Sequence, residues 1–158
     1  MKTRAVVGLG VSCLLVACAH QGEAPTSGMT WSLHHAEGEG AKLAFGQPAS
    51  DNVLLMMTCA PRSGAVRVSL TSAADQAPDA ITLRSDGRVS KLSGQAQPGM
   101  GEGWALIEAE TQVTDPALAS FARTGDLSVI QNGRNAVLPV RGGEKEAVQA
   151  FFAECRAA

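Results

Sequence analysis

Val53-Leu54-Leu55-Met56-Met57-Thr58-Cys59 is the stretch on which the fold turns. Its apolar run is flanked by Asp51-Asn52 and by the turn residues Pro61 to Gly64. It is too short for a buried helix and reads as a strand. Because both of its faces are apolar, it is expected to be central and covered on two sides.

Working outward, Trp31 and Leu33 share one face of an extended segment. Ala41 to Phe45 forms another, ended by Gly46-Gln47-Pro48. Downstream, Val66, Val68 and Leu70 alternate with Arg67 and Ser69, the period of a half-buried strand, and Ile81 and Leu83 repeat it. Asp86-Gly87 supplies a hairpin turn leading into Val89 and Leu92, and residues 104 to 113 alternate again from Trp104 to Val113. Asn132-Gly133 predicts a second hairpin joining Leu127–Ile130 to Ala136–Leu138, with Pro139 holding that last strand near an edge or end.

Two segments switch to helical period. Asp115 is placed to cap a short helix, with Pro116 at its first position, Gly125 past its end, and an apolar stripe of Leu118, Phe121 and Ala122. After Gly142-Gly143, Glu144 and Glu146 occupy a first turn, and Val148, Phe151, Phe152 and Cys155 fall at i, i+3, i+4 and i+7. The expected class is α+β: an antiparallel β-sheet or small β-sandwich with a short helix at about 116–123 and a C-terminal helix at about 143–156.

The N-terminus carries an address. Lys2 and Arg4 precede an apolar run from Ala5 to Ala17, the charged and hydrophobic regions of a secretory signal. As a helix that run would rise only about 20 Å, short of the ~30 Å hydrocarbon core of a bilayer. Residues 1–17 are therefore expected to be removed. Residues 18–28 are small, polar or Pro and Gly, and read as a flexible tether, with one globular domain from 29 to 158. Loss of Lys2 and Arg4 takes the 13 basic residues to 11 against 15 acidic ones, a net charge of about −4. That balance argues against a nucleic-acid partner.

Leu15-Val16-Ala17-Cys18 resembles the signal of bacterial lipoproteins. The resemblance implies a diacylglyceryl thioether on the Cys18 sulfur and an acyl group on its amine, enough chains for stable anchoring. Ala19 stands where that family's inner-membrane retention signal has an aspartate, which implies sorting to the outer membrane, facing the periplasm.

Cysteine arithmetic follows from export. Cys13 would leave with the signal and Cys18 would carry lipid, leaving Cys59 and Cys155 in a compartment where disulfides persist. The two are expected to pair across nearly the whole domain; the alternative is two buried thiols. Two cysteines without a nearby histidine supply too few ligands for a metal, and no cofactor is implied.

Chemistry-bearing motifs are scarce. His34-His35 with Glu37 and Glu39 could be taken for a metal cluster, but neighbouring strand residues point to opposite faces, so the imidazoles would not converge. His20 falls in the tether. No Gly-x-Ser-x-Gly elbow, Ser-x-x-Lys pair, Walker loop or His-Glu-x-x-His occurs. Gly99-Met100-Gly101-Glu102-Gly103 lacks the context of a dinucleotide loop and reads as part of a mobile loop, Ser93 to Gly103. Met100, apolar with no evident core to enter, and Glu102 make it the candidate contact loop. The Glu37 and Glu39 segment and the strand with Arg134 and Pro139 are further candidate surfaces.

Three function classes remain open. The first is a noncatalytic envelope lipoprotein that binds another envelope protein or a cell-wall component. The second is an inhibitor of an envelope-attacking hydrolase, because a lipidated β domain with one early and one late cysteine is similar to the membrane-bound C-type lysozyme inhibitors. That family's Ser-Gly-x-x-Tyr loop is missing here, the chain has no tyrosine, and two helices are foreign to its small barrel, so no residues carry over. The third is an enzyme assembled from scattered groups such as His34, Asp51 or Glu108. Trp31, Phe45-Gly46-x-Pro48, the apolar strand ending in Cys59 and a closing Phe-x-x-Cys also resemble a group of small alphaproteobacterial envelope proteins without assigned function.

Overall fold

Period-2 alternation commits each strand to one inward face, and the chain's turns decide which sheet it joins. The computed structural model describes residues 26–36, 38 and 40–157. In chain order the strands are β1 (Thr30–Ala36), β2 (Gly40–Gly46), β3 (Val53–Cys59), β4 (Ala65–Ala73), β5 (Ala80–Ser85), β6 (Arg88–Ser93), β7 (Gln95–Pro98) and β8 (Trp104–Gln112). They are followed by helix α1 (Pro116–Thr124), strands β9 (Ser128–Gln131) and β10 (Arg134–Val137), and helix α2 (Glu144–Cys155). A six-stranded sheet runs β1-β2-β3-β4-β8-β7 and a four-stranded one β10-β9-β5-β6, all pairs antiparallel. The expected α+β class holds.

The inner face of the larger sheet is shared between two covers. The four-stranded sheet lies against β8 through β5 and β6, while α2 packs on β1 and β2, and α1 fills the space between β5, β6 and α2. Where these layers meet, Trp31 lies 5.2 Å from Phe45 and 5.0 Å from Phe121, and Phe121 meets Phe152 edge-on at 5.9 Å. Sinking each of these rings contributes on the order of 2 kcal/mol of transfer free energy, before the geometric preference of tilted pairs. The Trp31 indole N–H donates to the Leu138 carbonyl at 3.3 Å, satisfying its one polar group.

Local chemistry sets the element ends as expected. Both hairpins close with two-residue turns, and Asp86 (φ 44°), Gly87 (φ 74°), Asn132 (φ 49°) and Gly133 (φ 74°) all lie in the left-handed region that matches strand twist. Asp115 caps α1 by accepting from the amides of Ala117 (3.0 Å) and Leu118 (3.2 Å). Gly125 closes that helix in the left-handed conformation, its N–H on the Phe121 carbonyl. Ser90 of β6 donates to the same Asp115 oxygen at 2.6 Å, tying the helix start to the smaller sheet.

Cys155 is the last residue of α2 and Cys59 the last of β3; they are disulfide-bonded, Cα–Cα 5.7 Å, across 96 positions. Val148, Phe151, Phe152 and Cys155 are the buried face of α2. Its last carbonyls, which lack helical partners, are met by loop amides: Arg62 donates to Glu154 and Gly64 to Cys155, each at 2.8 Å. His35 Nε2 and Glu154 Oε2 lie 2.8 Å apart beside them.

Two expectations need correction. β3 is central but covered on one side only: Leu55, Met57 and Cys59 are buried, whereas Leu54, Met56 and Thr58 face outward and are half-buried among their neighbours. A run of apolar residues marks a strand without specifying how many layers cover it. The segment Ser93 to Gly103 is not one loop either, because Gln95–Pro98 is the edge strand β7, held to β8 by backbone pairing from Gln95↔Glu108 to Pro98↔Ala105.

Candidate functional site

Of the residues singled out from sequence, Cys18, His20, Glu37 and Glu39 lie outside the described residues. Met100 stands 92% exposed in the tight turn between β7 and β8, with Glu102 exposed beside it. His34 points away from the core onto the Ser32 hydroxyl at 3.0 Å, while His35 pairs with Glu154, so the adjacent imidazoles diverge. Asp51 sits exposed in the β2–β3 turn, far along the sheet from Glu108, and nothing brings His34, Asp51 and Glu108 together. Among the described residues no cluster of His, Cys, Asp or Glu is arranged to hold a metal, and no helix is long and apolar enough to cross a membrane.

The structure assembles a different constellation. On β8, Ala105, Ile107 and Ala109 face the core, which sends Trp104, Leu106, Glu108 and Glu110 to the outer face of the six-stranded sheet. Register then sets their neighbours. Glu110 lies opposite Arg67 of β4, and Glu108 lies between Ser69 of β4 and Gln95 of β7. A groove of about 390 Å³ runs between these strands, lined by Arg67, Ser93, Gln95, Gln97, Glu108 and Glu110. Arg67 Nη2 contacts Glu110 Oε1 at 3.2 Å, and the Glu108 carboxylate accepts from the Ser69 hydroxyl (3.4 Å) and the Gln97 amide (3.0 Å). Two carboxylates against one guanidinium leave the groove with a net charge of about −1 and donors and acceptors interleaved.

Trp104 lies two positions beyond Leu106 on the same face, at 53% exposure. The turn passes close by it: a Cβ at Gly99 would come within 3.0 Å of the Trp104 backbone and Cβ, and one at Gly101 within 3.3 Å of the indole Cδ1. The sequence signal for this face was the alternation over 104 to 113. The groove itself was not legible, because β7 is only four residues long, Gln95-Ala96-Gln97-Pro98, and exposed on both faces, too short for its alternation to mark a strand.

A second cleft, of about 630 Å³, lies between Gly64, Gln112, Thr114, Ala119, Ala122 and Arg156. It presents one charged side chain and no converging polar set. The chain matches no protein-family model, no curated protein and no solved structure.

Proposed function

We propose that the chain is a noncatalytic lipoprotein of the bacterial cell envelope, held by lipid on Cys18 at the outer membrane and facing the periplasm, that binds another envelope component. The observation that carries the binding reading is the outer face of the six-stranded sheet. Among the described residues no element covers it, yet it holds a polar groove and, further along β8 on the same face, an exposed tryptophan. Binding is favoured over bond-breaking because the groove is shallow and the Glu110 side chain is 77% exposed. The buried Cys59–Cys155 bond supports an exported location, since such bonds persist in oxidising compartments.

The test is crosslinking in the native envelope, followed by purification and mass spectrometry, with metabolic palmitate labelling and a Cys18→Ser control. A labelled protein with one dominant, anchor-dependent partner is the expected result. An unlabelled protein, or one with no captured partner, overturns the reading. The second reading, an inhibitor of an envelope-attacking hydrolase, draws on Met100 and Glu102 protruding from the β7–β8 turn, and a lysozyme-inhibition assay with Met100→Ser and Glu102→Gln variants decides it.

A further inference from the structure

We propose that the groove between β4, β8 and β7 binds a short segment of a neutral glycan strand, with Trp104 as the ring on which one sugar stacks. This rests on the binding reading above and names the chemical class of the partner. Sugars present hydroxyls that both donate and accept, on rings whose C–H faces are apolar. The groove answers both features. Glu108 and Glu110 accept, Arg67 donates, and Gln95 and Gln97 do either, from adjacent strands at fixed register, while Ser93 adds a hydroxyl from the end of β6. Glu108 is held in place by Ser69 and Gln97 and so is oriented before any ligand arrives.

Charge selects among ligand classes. Among the described residues lining the groove Arg67 is the one cation, and it is already against Glu110, so an anionic ligand such as a phosphate chain meets net repulsion. An uncharged polyol does not. Trp104 adds the apolar platform: it shares the outer face of β8 with Glu108 four residues away, about 13 Å along the strand, a span for several linked rings rather than one. At 53% exposure the indole leaves room for a sugar ring to stack on it.

The chain has two tryptophans, Trp31 at 4% exposure and Trp104 at 53%, so Trp104 is a built-in reporter. Full-length protein in detergent is titrated with chitotetraose and, separately, with a linear glucan tetramer, following tryptophan emission and acrylamide quenching. Co-sedimentation with insoluble chitin and, separately, with an insoluble linear glucan gives a second readout independent of the fluorophore. Expected is a saturable blue shift with protection from quencher for one of the two sugars, and which one responds distinguishes a cell-wall source from a neutral polysaccharide. Trp104→Ala and Glu108→Gln should each weaken binding about tenfold, while Val89→Ser on the smaller sheet leaves it unchanged. Circular dichroism of each variant confirms that the fold is kept. No saturable response to either sugar together with no sedimentation, binding by Trp104→Ala and Glu108→Gln equal to the parent, or a response to hexalysine instead of sugar overturns the proposal. Glycan binding by a protein that takes up no palmitate would sustain the groove and overturn the anchored-lipoprotein reading, so the two failures are separable.

Discussion

Replacing both members of the Cys59–Cys155 bond by alanine removes a cross-link that spans 96 positions, in a domain whose other long-range ties are side-chain packing and β pairing. In the chain-entropy model a loop of that length lowers the unfolded state's entropy enough to contribute about 4.7 kcal/mol at 25 °C. Both cysteines are buried in the main core cluster, so losing the sulfurs adds a packing term on the order of 1 kcal/mol. Residual structure in the unfolded chain subtracts from the total, and we expect a net loss of about 3 to 5 kcal/mol. Urea unfolding of Cys59→Ala/Cys155→Ala against the parent measures it. The midpoint should fall, and the slope m should rise, because an unfolded chain without the cross-link exposes more surface. The backbone hydrogen bonds from Arg62 and Gly64 to the end of α2 remain in the variant, so α2 should still dock on β1 and β2 and circular dichroism should be native below the transition. A loss under about 1 kcal/mol with m unchanged would refute the reasoning, since it would mean that the bond does not restrict the unfolded ensemble.

Other perturbations test separate layers of the structure. Asp115→Ala leaves the Leu118 amide without its cap, the Ala117 amide with the Ser90 hydroxyl alone and Ser90 without its acceptor, and should cost about 1 to 2 kcal/mol by thermal denaturation; Ser90→Ala should be milder, and the two effects should not add, because both side chains meet the Ala117 amide. Phe121→Ala empties the junction of Trp31, Phe152 and the two sheets and should cost about 3 to 5 kcal/mol, with a change in near-ultraviolet circular dichroism from Trp31. Gly40→Ala places a Cβ against the Cys59 carbonyl at a position with φ +75°, so a loss of about 2 kcal/mol or more and faster reduction of the disulfide by dithiothreitol are expected. Met100→Ser, at 92% exposure, should change stability by less than about 0.5 kcal/mol in the same assay.

Wherever local rules govern, the chain was legible from its residues. The two-residue turns at Asp86-Gly87 and Asn132-Gly133 need positive φ, and Asp115-Pro116 and Gly125 bracket a helix by supplying a cap, a pre-set φ and a left-handed exit. The helical spacing of Val148, Phe151, Phe152 and Cys155 specified a buried face, which brings Cys155 to Cys59, the pairing expected over two buried thiols. These signals lie within a few residues of one another or in a simple count.

Tertiary structure alone decided what depends on which strands become neighbours. β7 is too short for its alternation to mark it and exists because its backbone finds β8, and β3 is covered on one side because α2 and the smaller sheet both chose the same face of the larger one. The groove arises for the same reason: Arg67 and Ser69 are far in the chain from Glu108 and Glu110, and they join the β7–β8 hairpin only through the register of β4 with β8. Side-chain alternation dictates which residues leave the core, but the partners they meet outside it are set by strand order, which no local pattern encodes.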